Sequence, residues 1–151
     1  MEEPALTWDY PPDLPVINTD SQMLRQILQN LLDNAIKFTE RGAVSTTVRY
    51  ISQAASVEFK VRDTGLGIAD ELLPHVFEAF RQVDSSVTRS YGGVGLGLYI
   101  VKKYTELLGG TIQVQSRVSE GSAFTVTIPV KPEKSAPLAS EEQPGDFSYD
   151  A

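Results

Sequence analysis

No cysteine occurs among the 151 residues. That excludes disulfides and thiolate metal sites, and it fits a reducing compartment. Also missing is any apolar run near the length of a membrane span, and Met1 opens no signal-peptide pattern. Positive charge is in deficit: 13 Lys and Arg against 20 Asp and Glu leave a net charge of −7. A general nucleic-acid binder rests its affinity on a basic surface, so the balance argues against that class. Much of the acidity lies at the ends, in Glu2, Glu3 and the segment after Pro129. An anionic ligand would therefore need local Lys or Arg, backbone N–H groups or a divalent cation. What is present is ordinary for a single domain with a real core, including 41% hydrophobic residues.

Pro4, Pro11, Pro12 and Pro15 predict an extended start, with short strands around Leu6-Thr7-Trp8 and Val16-Ile17. Thr19 with Gln22 forms a capping-box pattern, and Asp20 is a second N-cap candidate. Leu24, Ile27, Leu28, Leu31, Leu32 and Ala35 then recur at helical spacing to about Phe38, and Gly42 is a stop signal. Val44 to Ile51 and Val57 to Val61 read as strands; the second alternates apolar and charged residues as a half-buried antiparallel strand does. A short helix is predicted from Asp70 through Phe80. Residues 81–94 are polar and rich in Ser and Gly, and read as a mobile functional loop. Leu96 to Leu108 gives another helix, closed by Gly109-Gly110. Thr111 to Val118 and Ala123 to Val130 make a final hairpin. The sum is an α/β (α+β) two-layer sandwich: a mixed, largely antiparallel sheet of about five strands with about three helices on one face. Residues 1–130 form the domain, and residues 131–151, rich in Pro, Glu and Ser, a flexible acidic linker or tail.

Three polar residues stand out. Asn30, Asn34 and Lys37 occupy i, i+4 and i+7, and residues four apart on a helix are rotated by only about 40°, so the three share a stripe. Two carboxamides and an amine on one face suit a metal and phosphate oxygens. No G-x-x-x-x-G-K-[ST] is present, so the P-loop solution is absent. Gly93-Val94-Gly95-Leu96-Gly97 instead opens a predicted helix, where bare backbone N–H groups favour an anion. Taken alone it equally suits a hinge with a tight turn. Asp63 ends a strand and precedes Gly65 and Gly67. It suits either a turn cap or a buried acceptor for an exocyclic amine, an interaction with strong selectivity.

In order and spacing these segments resemble the boxes of one family, the sensor histidine kinases. Asn30-x-x-x-Asn34-Ala35-x-Lys37 is similar to their N box and Asp63-x-Gly65-x-Gly67-Ile68 to their G1 box. Phe77-Glu78-Ala79-Phe80 resembles the F box, and Gly93-Val94-Gly95-Leu96-Gly97-Leu98 the G2 box. The likeness covers roughly residues 5–130; each box is modest evidence, and four in order are highly specific. It implies a Bergerat-type ATP-binding fold, shared with gyrase B subunits, MutL and heat-shock chaperones.

By that resemblance ATP and Mg²⁺ are the cofactors. Asn34 would ligate Mg²⁺, with Asn30 a second possible ligand, and Asn30 and Lys37 would stand near the metal–phosphate shell as the catalytic pair. Asp63 would take the adenine amino group, beside Gly65, Gly67, Ile68 and Ser122. Gly93, Gly95, Leu96, Gly97 and Leu98 would border the phosphates. Phe38 stands where the family has an aromatic residue, commonly tyrosine, and suits core packing as well as base contact. Phe80 belongs with Phe77 at the root of the lid. Of the lid arginines Arg81 and Arg89, the resemblance favours Arg89 for the γ-phosphate, since it lies nearer the G2 glycines. Val94 replaces a frequent threonine.

Hydrolysing relatives commonly place a glutamate four residues before the metal-binding asparagine. Asn30 is at that offset, and a carboxamide is no general base at neutral pH. The resemblance thus implies that the γ-phosphate is kept for a histidine in a separate dimerisation helix. The only histidine, His75, follows Pro74 and lacks an adjacent acid of the kinase acceptor kind, so it reads as a surface or packing residue. The implied setting is a cytoplasmic domain of a full-length protein, membrane-anchored or not. The domain itself would touch neither membrane nor nucleic acid. Its implied partners are the dimerisation/phosphotransfer domain of a homodimer and a downstream response regulator. Alternatives are a stand-alone anti-sigma-type serine kinase and a non-catalytic nucleotide-sensing module.

Overall fold

The computed structural model describes residues 4–78 and 96–130. Five strands form one mixed sheet in the order β1-β2-β3-β5-β4: β1 Ala5–Asp9, β2 Ala43–Ile51, β3 Ser56–Asp63, β4 Thr111–Arg117 and β5 Gly121–Pro129. Strand β1 pairs with β2 in parallel, as the helical crossover between them requires, and all other neighbours are antiparallel. Helices α1, Ser21–Lys37, and α2, Gly97–Leu107, pack on each other and on the sheet.

Alternation decides which residues face the helices. Val57, Phe59, Val61 and Asp63 form the inward row of β3, opposite Ile128, Val126, Phe124 and Ser122 of β5. On α1, Ile27, Leu31 and Ala35 recur every four residues and close the core from above. Each fully buried aliphatic side chain of this set contributes about 1.5–3 kcal/mol. The outward face is polar. Its Arg49–Glu58 pair, at 2.9 Å, is too exposed on the arginine side to add much.

Local differences from the sequence reading have simple causes. Asp20, not Thr19, caps α1, its Oδ1 accepting from the N–H groups of Gln22 and Met23 at 3.0 Å each. No strand forms at Val16-Ile17: in this proline-rich stretch one bond, Asn18 N–H to the Val130 carbonyl at 2.8 Å, ties the chain down. The helix predicted from Asp70 is a 3₁₀ segment, Asp70–His75. Pro74 lacks the N–H that an α-helix would direct to the Asp70 carbonyl.

Candidate functional site

The inward row of β3 ends on an acid. Strand pairing sets Val44 on one side of Asp63 and Ser122 on the other, so periodicity carries a carboxylate into the helix-facing layer, where it is 5% exposed. Burial pushes the Asp63 carboxyl above its ordinary 3.8. Two N–H groups pull it back, those of Gly65, 2.9 Å from Oδ1, and of Ser122, and the nearby Thr39 hydroxyl acts in the same direction without completing a hydrogen bond. Thr39 itself is buried, and its Oγ1 completes no hydrogen bond with any described group despite facing the carboxylate. A strong acceptor and an orphaned hydroxyl thus sit together at the end of the sheet. The Gly65 bond is itself a turn bond, the first of the two roles foreseen for Asp63.

Gly65 and Gly67 serve the protein's own backbone. A Cβ at Gly65 would lie 2.1 Å from the Phe38 carbonyl oxygen, and Leu66 N–H bonds that same oxygen at 3.1 Å. Gly67 has φ +75°, and a Cβ there would lie 1.9 Å from the Arg117 carbonyl oxygen. The loop is thereby pressed between the end of α1 and the β4–β5 hairpin. Ser116 fastens it: its hydroxyl accepts from Ile68 N–H at 2.7 Å and lies 2.9 Å from the Gly121 carbonyl and 2.8 Å from Ser122 Oγ. Sequence reasoning missed Ser116 and Thr39. Ser116 was findable, because it extends the inward row of Ile112 and Val114. Ser116→Ala strands the Ile68 N–H, and should lower unfolding stability by about 1–2 kcal/mol in urea titrations.

On α1 the polar stripe divides. Asn30 donates through Nδ2 to the Gly97 carbonyl at 3.3 Å and accepts from Gln26 Nε2 at 2.9 Å. The Asn34 carboxamide and Lys37 ammonium, by contrast, have no side-chain partner among the described residues. Phe38 ends the helix half-buried. Leu96 precedes α2 and Gly97 opens it; nothing lies within 4 Å of where a Gly97 Cβ would stand, and Leu98 packs on the core. The predictions for Phe80, Arg81, Arg89, Gly93 and Gly95 lie outside the described residues. Phe77 meets Phe124 edge-on at 6.1 Å. His75 Nδ1 lies 2.8 Å from Glu78 Oε2, an exposed pair three residues apart.

This donor set fits a magnesium-bound triphosphate. A free carboxamide oxygen is a hard ligand of the kind Mg²⁺ takes, and Mg²⁺ ordinarily completes its shell with phosphates and water. Among the described residues no group of three or more His, Cys, Asp or Glu could form an all-protein cage. Nothing lies within 4 Å of where a Gly97 Cβ would stand, which leaves room for a ligand at that end of the site. No helix of the described residues is long and apolar enough to cross a membrane.

Comparison with known proteins agrees. The family model described as "Histidine kinase-, DNA gyrase B-, and HSP90-like ATPase" matches residues 19–132. The circadian input-output histidine kinase CikA of Synechococcus elongatus is 48% identical over 115 residues, 76% of this chain. Sensor histidine kinase AruS of Pseudomonas aeruginosa is 50% identical over 106 residues, 68% of the chain. The chain spans only 15% and 11% of those relatives' lengths. Among solved structures, full-length ShkA in complex with AMPPNP aligns with TM-score 0.72 and 37% identity, over 83% of this chain and 25% of that one. The nucleotide-free catalytic domain of histidine kinase ThkA aligns with TM-score 0.69 and 27% identity, over 86% and 82%.

Proposed function

The chain belongs to the histidine kinase-, DNA gyrase B- and HSP90-like ATPase family, and from that premise we propose that it is the ATP-binding catalytic domain of a sensor histidine kinase. It holds Mg·ATP and presents the γ-phosphate to a histidine on a separate dimerisation helix. The observation that carries the reading is the buried Asp63 carboxylate beside the buried Thr39 hydroxyl, together with Asn34 and Lys37, whose side chains have no partner among the described residues. The relatives named as histidine kinases, and the AMPPNP named with ShkA, support the choice of chemistry.

Each residue then has a task. Asp63 accepts the exocyclic amine of adenine, and Ser122 shares the base end of the pocket. Phe38, at the end of α1, closes that end with apolar surface. Asn34 offers its amide oxygen to the metal, and Lys37 brings a point charge to the phosphates. The bound Mg²⁺ supplies charge neutralisation on the triphosphate. Gly97 leaves the first turn of α2 bare, so its backbone N–H groups can meet a phosphate oxygen. Phe80, Arg89, Gly93 and Gly95 complete the lid side in this reading. At the offset where hydrolysing relatives place a glutamate to activate water this chain has Asn30, and a carboxamide is no general base, so the γ-phosphate is conserved for transfer.

The test adds Mg·ATP and a cognate dimerisation-helix protein to the chain. Acid-labile phosphate should appear on an imidazole nitrogen of the partner. Acid-stable phosphate on serine would favour the anti-sigma-type reading, and bound ATP with no transfer the sensing module.

A further inference from the structure

Asn30 is tied both to the start of α2 and to the preceding turn of α1. Both ends of its carboxamide are engaged: Nδ2 donates to the Gly97 carbonyl at 3.3 Å and Oδ1 accepts from Gln26 Nε2 at 2.9 Å. The oxygen, the only atom that could serve Mg²⁺, is thus bonded to a residue on the preceding turn of α1. The Gly97 carbonyl belongs to the first residue of α2. That helix start has little else to hold it among the described residues. Leu96 sits at the N-cap with no side-chain cap bond, and a residue without a polar side chain cannot supply one. Gly97 has neither side chain nor neighbour within Cβ reach to wedge it.

We propose that Gln26 and Asn30 form a positioning relay that sets the height and tilt of the first turn of α2 against α1. Gln26 fixes the amide plane of Asn30, and the fixed amide holds the Gly97 carbonyl. Gln26 is exposed and bonds Asn30 across one helical turn, a pair that orders the second side chain at little cost. This deepens the nucleotide reading and rests on it: the relay acts on the phosphate end of the site, while the Asp63 end is anchored separately through β3 and the hairpin.

The experiment measures binding of ATP and of adenosine to the 151-residue chain, each with Mg²⁺ and with EDTA. The variants are Gln26→Ala, Asn30→Ala, Asn30→Asp and the double Gln26→Ala/Asn30→Ala. Asn30→Ala should weaken ATP about 5-fold, the worth of one hydrogen bond, by the same factor with and without Mg²⁺. Gln26→Ala should weaken ATP about 2-fold, and add nothing in the double variant, because both act through one contact. Asn30→Asp should be worse than Asn30→Ala, since a carboxylate repels the Gly97 carbonyl. Adenosine affinity should be unchanged throughout.

A metal-ligand role predicts the reverse: Asn30→Asp retains Mg·ATP affinity, and Asn30→Ala loses only its Mg-dependent part. Either result overturns the relay, as does an equal loss of adenosine and ATP, which would mark a merely structural bond. Unchanged ATP affinity in every variant removes the relay and leaves the nucleotide site standing. A wild-type chain that binds no ATP removes both.

Discussion

Asp63→Asn should bind ATP about 10–100-fold more weakly than the wild type, yet melt at a higher temperature when nucleotide-free. The two effects have one source. A carboxylate that accepts a hydrogen bond from an adenine amine contributes about 1.5–3 kcal/mol, and an amide that turns its own NH₂ toward the base leaves both donors unpaired. Without ligand the same carboxylate is a liability. Burial dominates its surroundings and raises its pKa from 3.8, in spite of the Gly65 and Ser122 N–H groups. The folded state therefore holds this proton more tightly than the unfolded chain does. The contribution of Asp63 to stability is full below the unfolded value of 3.8 and is lost as pH rises through the raised native value. At neutral pH the ionised, buried group is destabilising, and asparagine removes the charge while keeping an oxygen for Gly65 N–H. Adenine needs the ionised acceptor, so ATP affinity of the wild type should fall as pH drops through that same window. Calorimetric titration and thermal melts across pH check both halves. A variant that melts lower and binds ATP normally would show that Asp63 is a turn cap and nothing more.

The contrast between Asp63 and Thr39 shows how far the sequence could be read. Period-2 alternation in Val57, Phe59 and Val61 fixes the face of β3, and continuing it by one step puts Asp63 inside. The helical stripe of Asn30, Asn34 and Lys37 was legible for the same reason: local periodicity survives into the fold. Thr39 lies in the turn after α1, where no period operates, and only the sheet's approach buries its hydroxyl. Gly65 and Gly67 carry a second requirement that spacing does not show: their nearest neighbours are the carbonyls of Phe38 and Arg117, contributed by segments far away in the chain. Long-range packing is what sequence spacing does not encode, and the same gap hid the bond from Asn30 to Gly97, 67 residues apart. The 3₁₀ segment at Asp70–His75 was the opposite case, since Pro74 announced it and the helical pattern was given too much weight.

Asn34→Ala should remove the Mg²⁺ dependence of ATP binding and cost about 100-fold in affinity for Mg·ATP, with adenosine affinity and melting temperature unchanged. Losing an outer-shell partner of a metal already costs about 10–100-fold, and here the amide oxygen would be the single protein ligand on α1. The stability half follows from the lack of partners: the half-buried side chain has none among the described residues, so deleting it strands nothing. Asn34→Asp separates charge from coordination. It keeps an oxygen for the metal but places a negative charge beside the phosphates, so the metal alone should bind no worse while Mg·ATP binds worse than to wild type. Titrations with Mg²⁺, ADP and ATP in turn resolve these steps. If Asn34→Ala retained full Mg dependence, the metal would have to be held elsewhere. Asn30 is the remaining carboxamide of the stripe, and its oxygen would then have to leave Gln26 to reach it. The two proposed assignments are therefore coupled: a metal on Asn34 leaves Asn30 to its bonds with Gln26 and Gly97, and a metal on Asn30 would disturb them.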